Sequence, residues 1–410
     1  MSTSLASIHF WDAVFHDRGV ILFEPMGGGL CAGLEMLLRH RIRVVRYIHM
    51  DICPCARCVA RYRVYQLREL YPSLLESYVV AGAQQESQVY DCCCEHIRDG
   101  NSFGHTDICT AEKIPTDIGL LRDEHLSRLG VLEDHPWLLV AGWPCQDLSP
   151  AGNGRGLLGP RSSSFTELTR LLQLVHEMRL SNGKSPPSFI FENTAFHIFA
   201  QMDMFSPKTS ASKKEKSIGI LQDYDFVCSR LGDKAIVVDA ARFGSGAHRL
   251  RNIWSNLCRG GSDELQTAID VNVHRNEDDP GAQKFLDVGR HVRIAMQDSS
   301  PPFYPANRAG EKLKCLPTLV SKPRSFNYCT GRPGSLLIKD TVGNRMEDEP
   351  NANERERLMG YATDATKADG VDENARRDII GRGMDANMMA GVFGLAMSIE
   401  SHHRRQYADV

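Results

Sequence analysis

The stretch VILFEPMGGGL (residues 20–30) decides the fold. Its first half is a short apolar run, typical of a buried strand, and the glycine triplet at residues 27–29 ends that strand in a tight turn. From Leu30 to Arg39 the apolar residues recur at helical spacing. The order strand, glycine turn, helix therefore predicts the first unit of an α/β fold.

The same alternation continues along the chain. Further strands are predicted at 44–48, 137–142 and 189–191, and further helices at 56–70 and 165–178. Repeated strand–helix alternation predicts a mostly parallel sheet with helices on both faces. In such a sheet, ligands bind beyond the carboxyl ends of the strands.

Composition and charge set the broad class of protein. The chain has 410 residues, of which 42% are hydrophobic and 24% charged, and this length predicts one large domain or two unequal ones. No apolar run approaches the roughly 20 residues that span a bilayer, and residues 1–9 lack the order of a secretory signal. Thirteen cysteines without such a signal favour a reducing compartment. The formal net charge of −3 does not indicate a nucleic-acid partner, although enzymes that bind nucleic acid often confine positive charge to one face.

The glycine turn and two acidic residues indicate where a cofactor would bind. Glycine allows close backbone approach, and the following helix N-terminus favours negative charge. The spacing of Gly27, Gly29 and Gly33 misses the dinucleotide fingerprint, which weakens an NAD interpretation. Asp51 could accept hydrogen bonds from ribose hydroxyls, and Asp107 could bind an adenine amine. A tight structural turn with solvent-facing acids explains the same pattern about equally well.

A thiol and a carboxylate carry the chemistry. Cys145, in Pro-Cys-Gln at 144–146, follows the strand at 137–142, and Glu192 follows the apolar run 189–191. A thiolate can add to carbon 6 of cytosine while an acid handles the proton at ring nitrogen 3. Arg249 and Arg251 could supply the positive charge that helps the thiol ionise. In isolation, a buried structural thiol and an ordinary strand-end acid are the more common interpretations, and their joint placement favours chemistry.

The segment after Cys145 suits a mobile loop. Gly152, Gly154, Gly156 and Gly159 allow this part of the chain to close over a bound base. Taking a base out of a duplex costs a few kcal/mol, which protein contacts must offset.

Several short motifs together resemble the cytosine-5 methyltransferases. They are Phe-Glu at 23–24, Asp51, Asp107, Pro-Cys-Gln at 144–146 and Glu-Asn at 192–193. The chain is most similar to the catalytic domain of the animal de novo DNA methyltransferases. That similarity is carried by RYI (46–48), PCxDLS (144–149), AHRxRxxWxNL (247–257) and ERERLMGY (354–361). The resemblance covers about Val20 to Leu395 in the unpermuted motif order, with an insertion between Tyr71 and His105.

The resemblance implies a fold, a cofactor and an activity. The fold would be a Rossmann-like S-adenosylmethionine-dependent methyltransferase domain with a small target-recognition region. The core would span 1–257, the target-recognition region 258–330, and a segment at 331–410 would return to the core. The activity would be a DNA (cytosine-5)-methyltransferase of the de novo type, in which a cysteine adduct forms on a flipped cytosine.

The resemblance, together with the residue arguments above, also assigns roles to residues. The catalytic residues would be Cys145, Glu192, Arg249 and Arg251. The cofactor-binding residues would be Phe23, Glu24, Gly27, Gly29, Asp51, Asp107, Pro144, Gly383 and Met384. The substrate-binding residues would be Gln146, Ser149, Asn193, Arg290, Arg293, Thr318 and Lys322, with Asn193 also steadying the loop.

Partners and location follow from this activity. DNA is the expected partner, with a homo-oligomer or an association with another methyltransferase, and no membrane is expected. Residence in the nucleus and a part in epigenetic regulation are inferred from the substrate, since the chain has no strong basic import signal.

Weaker patterns carry further predictions. Cys53, Cys55 and Cys58 with the cysteines at 92–94 and His96 invite a zinc interpretation, but their spacing does not fit the paired arrangement, and no metal is predicted. Ser206–Ser217 is expected to be an exposed, mobile basic loop. A C-terminal helical segment from Asn351 to Met397 is expected to break near 381–383.

Three alternatives remain beside the leading hypothesis. An RNA (tRNA) cytosine-5 methyltransferase would keep the chemistry, but the segment 247–257 argues against it. A non-catalytic regulatory paralogue is disfavoured because Cys145, Glu192 and both arginines are intact. An unrelated Rossmann-like oxidoreductase is disfavoured by the missing fingerprint.

Overall fold

A seven-stranded sheet organises the computed structural model. The residues described are 18–82, 114–149, 154–207, 209–274, 279–293, 313–322, 325, 327–332, 334–339 and 345–408. The strands are β1 Val20–Pro25, β2 Val44–Met50, β3 Leu75–Val80, β4 Trp137–Gly142, β5 Ser188–Thr194, β6 Ile236–Asp239 and β7 Leu250–Ser255.

The strand order is β3-β2-β1-β4-β5-β7-β6. The pairs β1–β2, β2–β3, β1–β4 and β4–β5 are parallel, whereas β7 is antiparallel to both β5 and β6. The chain reverses its strand order beside β1, as in doubly wound α/β folds. The prediction of a Rossmann-like, mostly parallel sheet is confirmed.

Helices cover both faces of this sheet. They are α1 Ala32–Arg39, α2 Pro54–Leu70, α3 Asp123–Arg128, α4 Ser164–Ser181, α5 Phe196–Phe205, α6 Ala211–Leu231, α7 Gly261–Asn272, α8 Ala352–Leu358, α9 Glu373–Arg382 and α10 Ala386–Ala408. Alternate residues of one strand enter opposite cores, since Leu22 belongs to one buried cluster and Phe23 to the other. The first cluster includes residues of α1, α2 and α10, and the second includes residues of α3, α4 and α6.

A second, three-stranded antiparallel sheet has the order β10-β9-β8. Its strands are β8 Arg290–Val292, β9 Leu336–Lys339 and β10 Arg345–Asp348. This sheet joins strands from both sides of the domain boundary expected at residue 330. Helix α7, which the sequence assigned to the target-recognition region, packs against β6, β7 and α10 of the main layer.

Two predictions about local structure were wrong in part. Most of the expected mobile loop 206–217 is helical, because α6 begins at Ala211. Its polar first turns continue into a stretch anchored by the buried residues Ile220, Val227 and Leu231. The C-terminal helical segment breaks after Arg382 as expected, but it also breaks between α8 and α9, where Gly360 has a φ of 81°.

In the described part of the chain, no helix is both long and apolar enough to cross a membrane.

Candidate active site

One edge of the main sheet gathers most of the predicted site residues. The glycine turn follows β1, Asp51 follows β2 and Cys145 follows β4. Glu192 lies in β5 and pairs in register with Gly142 at the end of β4. Because β7 is antiparallel, its beginning reaches the same edge, where Arg251 pairs with Thr194. The topology therefore brings the thiol, the carboxylate and an arginine together.

The glycine turn packs closely against α2 and is hydrogen-bonded to Asp51. Gly29 has a φ of 93°, and a Cβ there would lie 2.7 Å from the Ala56 carbonyl oxygen. Gly28 also has positive φ, and its backbone N–H donates to an oxygen of Asp51 at 3.0 Å. The other oxygen of Asp51 accepts from the Cys53 N–H at 2.8 Å. The Asp51 carboxylate thus stabilises the turn, and burial raises its pKa.

Phe23 and Glu24 lie beneath the turn. Phe23 is fully buried, with its ring edge-on to Trp137. The Glu24 carboxylate accepts hydrogen bonds from the Gly33 N–H at 3.0 Å and the Tyr47 hydroxyl at 2.5 Å. Burial raises the pKa of Glu24 to about 7. Glu24 supports the chain around the turn from the core, whereas Phe23 packs in the core itself, and this placement does not favour the predicted direct contact of either with a cofactor.

The C-terminal return lies beside the glycine turn. A Cβ on Gly28 would meet one atom within 4 Å, the Cα of Gly383 at 3.9 Å, so the two segments lie side by side and form what we call the cradle. Met384 approaches Gly142, where a Cβ would lie 3.6 Å from the Met384 Cγ. The Tyr361 hydroxyl donates to the Met384 carbonyl at 2.7 Å. A backbone cradle next to a strand-end carboxylate fits a nucleoside cofactor such as S-adenosylmethionine.

The Cys145 thiol is half-buried at the end of β4. Burial raises its pKa, which the charge of Arg251 opposes; Glu192 adds to the rise and Arg249 lowers it. The sequence correctly anticipated the direction in which the two arginines act. Burial outweighs them, however, so the thiol is mainly protonated near neutral pH in this structure.

Glu192 and Arg251 form a buried ion pair. The Arg251 Nε lies 2.5 Å from the Glu192 Oε1, and both side chains are 7% exposed. The second Glu192 oxygen faces the backbone of β4, where a Cβ on Gly142 would lie 3.1 Å away. The pair fixes the carboxylate beside β4, the strand that leads to Cys145.

Arg249 makes different contacts from Arg251. Its backbone N–H donates to Asp239, whose other oxygen lies 2.8 Å from the His248 Nδ1. Its guanidinium donates to the carbonyl oxygens of Gly383 and Gly381, and at 3.5 Å to that of Leu319. Burial lowers the pKa of Arg249 to about 10, with Arg251 contributing.

The loop after Cys145 is tied down by two carboxylates. One Asp147 oxygen accepts the backbone N–H groups of Arg161 and Ser162. The Ser162 hydroxyl donates to the Pro144 carbonyl at 3.0 Å. Asp223, on α6, accepts the Leu157 N–H at 2.9 Å. Neither acid was predicted from the sequence to anchor the loop, and only the PCxDLS similarity pointed towards Asp147.

Three predicted substrate residues lie around Cys145. Asn193 donates to the Trp143 carbonyl at 2.9 Å, so it holds the chain just before Pro144. The Ser149 N–H donates to the Cys145 carbonyl at 2.8 Å. The Gln146 Oε1 is buried and has no hydrogen-bond partner within the described protein. The Gln146 side-chain oxygen is therefore left ready to bind a ligand.

The remaining predicted substrate residues are dispersed. Arg290 pairs with Glu354 at 2.8 Å, a contact that joins the small sheet to α8, and with Asp348 of β10 at 2.9 Å. These ion pairs do not favour its predicted contact with nucleic acid. Arg293 lies 3.8 Å from Glu347. Two others lie on the segment 313–322, where Lys322 is exposed and Thr318 half-buried.

The segment around Thr318 runs beside the start of β7. Leu316 forms a parallel bridge with Ala247, and the His248 N–H donates to the Leu316 carbonyl at 2.8 Å. This pairing brings Thr318 towards the edge where Arg249 lies, as the sequence order alone did not show.

Some predicted residues lie outside the described residues. They are Asp107, Gly152, the cysteines at 92–94 and His96. Within the described ranges, no group of three or more His, Cys, Asp or Glu side chains could hold a metal ion. A surface cavity of about 270 Å³ lies between α7 and α10, but none of the residues that line it belongs to the candidate site.

Comparison with known proteins gives matches among solved structures alone. No protein-family model and no curated protein matches the chain. It is similar to S. pombe Dnmt2 methyltransferase, with 14% identity and a TM-score of 0.48 over 92% of this chain and 98% of that chain. The Entamoeba histolytica methyltransferase EhMeth gives 12% and 0.48 over 92% and 97%. A mutant of Spodoptera frugiperda DNMT2 gives 10% and 0.44 over 92% and 98%. At these identities and TM-scores the matches assign no function to this chain.

Proposed function

We propose that the protein is a DNA (cytosine-5)-methyltransferase that uses S-adenosylmethionine. The observation that carries the proposal is the cluster at the end of β4, where the Cys145 thiol lies in the field of Arg251, Glu192 and Arg249. A buried carboxylate beside a thiol is the pair that covalent addition to cytosine requires. The cradle between Gly28 and Gly383 lies at the same edge of the sheet.

Each residue has a defined task in this reaction. The Cys145 thiolate adds to carbon 6 of the base, and the electron pair released into the ring makes carbon 5 nucleophilic. Glu192, fixed by Arg251, holds the proton at ring nitrogen 3 and accepts from the exocyclic amine, which favours cytosine over thymine. S-adenosylmethionine supplies, when bound, the methyl group that carbon 5 accepts. Transfer of the carbon 5 proton to solvent water then expels the Cys145 thiolate and restores the aromatic ring, with S-adenosylhomocysteine as the second product.

Different residues would form the cofactor cradle and the base site. Gly28, Asp51, Gly383 and Met384 would hold the cofactor. Gln146 and the loop at 154–162 would contact the extruded base and close over it. Pro144 would position the nucleophile, since its carbonyl accepts from the Ser162 hydroxyl and the next residue is Cys145.

The choice of DNA over RNA rests on the sequence similarity of segment 247–257 to the de novo DNA methyltransferases. We further propose de novo activity, residence in the nucleus, and association with a second copy or another methyltransferase. Methylation of transfer RNA and a non-catalytic regulatory role are the alternatives that the experiment below separates.

The test uses labelled S-adenosylmethionine with duplex DNA or transfer RNA as acceptor. Wild-type protein should label the duplex, and Cys145→Ser should label neither acceptor. A duplex with 5-fluorocytosine at the target should trap a covalent adduct on Cys145, because the fluorine cannot leave as a proton does. Labelling of transfer RNA alone would replace the substrate, and labelling of neither would refute the catalytic assignment.

A further inference from the structure

The two arginines of segment 249–251 divide their contacts between two parts of the site. Arg251 pairs with Glu192, on the side where the base would bind. Arg249 makes no carboxylate ion pair among the described residues, and its guanidinium donates to main-chain carbonyls instead. Two of those carbonyls, at Gly381 and Gly383, belong to the segment that returns to the glycine turn.

The returning segment 381–385 is held from several sides. Arg249 binds it through the two glycine carbonyls, and Tyr361 binds the Met384 carbonyl. Ser245 donates to the Asp385 carboxylate at 2.8 Å. A Cβ on Gly383 would lie 2.1 Å from the Leu30 Cδ1, so the segment is also pressed against the chain that follows the glycine turn.

We propose that Arg249 is a positioning residue that couples the cofactor cradle to the nucleophile. One guanidinium ties the returning segment against the glycine turn and also acts by its charge on the Cys145 thiol. This inference rests on the proposed function and adds to it a physical link between the cofactor cradle and the Cys145 thiol.

Several charged groups act on the Cys145 thiol and on the Arg249 guanidinium. Burial and Glu192 raise the pKa of the Cys145 thiol, whereas Arg251 and Arg249 lower it. Arg249 in turn feels Arg251, Glu192, Asp385 and Cys145. A change that removes both the charge and the contacts of Arg249 therefore alters the thiol and the cradle together, whereas a change that loosens the cradle alone leaves the charge in place.

Three variants separate the two roles of Arg249: its hydrogen bonds to the returning segment and its charge near the Cys145 thiol. Arg249→Lys keeps the charge but loses the planar fork that reaches two carbonyls. Arg249→Gln loses both the fork and the charge. Ser245→Ala loosens the returning segment at Asp385 and leaves Arg249 untouched.

Two measurements are made on each variant and on the wild type. The first is the dissociation constant of S-adenosylhomocysteine by calorimetry. The second is the pH profile of Cys145 alkylation by iodoacetamide, followed on the Cys145 peptide by mass spectrometry. Circular dichroism confirms that each variant is folded.

The coupling predicts a distinct pattern across the variants. All three should bind S-adenosylhomocysteine at least about tenfold more weakly, which corresponds to about 1.4 kcal/mol. Arg249→Gln alone should shift the alkylation profile to higher pH, by about one unit or less. Arg249→Lys and Ser245→Ala should keep the wild-type profile.

Two results would overturn the coupling. One is an Arg249→Gln protein that binds the cofactor product normally, and the other is one whose alkylation profile does not move. Failure of the wild type to bind S-adenosylhomocysteine would instead refute the proposed function, so the two failures are distinguishable.

Discussion

At the residue scale, the buried pair between Glu192 and Arg251 is the most sensitive point of the site. Both side chains are 7% exposed, and removing one partner leaves the other as an uncompensated buried charge. Glu192→Gln should therefore reduce methyl transfer by about 100-fold or more and destabilise the fold by roughly 3 kcal/mol. Steady-state kinetics and urea unfolding measure the two effects.

The matched control for this prediction is a surface pair of similar length. Arg43 lies 2.6 Å from Glu76, and these side chains are 38% and 43% exposed. Glu76→Gln should change the free energy of unfolding by less than about 1 kcal/mol and leave activity unchanged. An equal effect of the two substitutions would show that burial of the Glu192 pair is not what matters.

Glu24 should make stability depend on pH. Burial raises the pKa of this carboxyl from an ordinary 4.5 to about 7, so between these values the folded chain holds a proton that the unfolded chain has lost. Its contribution to the free energy of unfolding is therefore favourable below about pH 4.5 and falls by roughly 3 kcal/mol as the pH rises to about 7. Relative to the wild type, Glu24→Gln should gain stability across this window. A stability difference that stays constant with pH in chemical denaturation would contradict the prediction.

Single residues were predicted from the sequence as far as local pattern allows. The apolar runs before Cys145 and Glu192 placed both at strand ends, and parallel pairing puts such ends at one edge. The ion pairs of Arg290 and the carbonyl contacts of Arg249 could not be predicted, because their partners lie many tens of residues away in sequence. The residue types of the site could therefore be predicted from the sequence, whereas the partners of their side chains could not.

At the scale of elements, the turn at 156–158 anchors the loop that follows Cys145. Gly156 has a φ of 71°, and a Cβ there would lie 2.1 Å from the Asp223 Oδ2, the oxygen that holds the Leu157 N–H. Gly156→Ala should therefore displace the loop anchor and lower kcat by about tenfold or more. Single-turnover methylation measures this effect.

Gly183 provides the comparison for that substitution. It has a similar φ of 67°, but nothing lies within 4 Å of the Cβ it lacks. Gly183→Ala should cost about 1 kcal/mol of stability through backbone strain and leave kcat unchanged. A loss of kcat in both variants would point to general destabilisation rather than to the loop anchor.

Elements with strong apolar periodicity were the ones that the sequence predicted well. Helix α4 was expected at 165–178 and spans Ser164–Ser181. Helix α6 was not predicted, because its first two turns are polar and most of the residues that bury it come later, from Ile220 onwards. Periodicity reports burial, so a helix end that faces solvent carries little of that signal.

At the scale of the whole molecule, the C-terminal helix α10 completes the core behind the cofactor cradle. Phe393 is fully buried, and its ring lies 5.4 Å from that of His40 between centroids. Phe393→Ala should destabilise the fold by about 3–5 kcal/mol, as large-to-small changes in a core do. It should also weaken binding of S-adenosylhomocysteine, because α10 follows directly after Asp385.

The control for Phe393 is an aromatic residue on the surface. Phe205 is 86% exposed at the end of α5. Phe205→Ala should change the free energy of unfolding by less than about 0.5 kcal/mol in the same denaturant titration. Equal losses in both variants would contradict the assignment of α10 to the core.

The overall topology was predictable in class but not in detail. Alternation of strands and helices indicated the parallel sheet, yet nothing local marks β7 as the strand that runs the other way. The small sheet joins β8 to β9 across more than forty residues, a pairing that the expected boundary at 330 cut in two. Long-range pairing depends on the whole chain, and a pattern read along one segment cannot contain it.

The contact between α10 and the first helix also sets an order of events during synthesis. The His40 Nε2 lies 2.8 Å from the Ala390 carbonyl, a pair of residues 350 positions apart. A ribosome adds about 5–20 residues each second, so the glycine turn emerges many seconds before its closing segment. During that interval the first core lacks one of its helices, and a half-built cradle has no means of retaining a cofactor. We expect the nascent chain to depend on chaperones until α10 arrives, and cofactor capture to mark the end of folding.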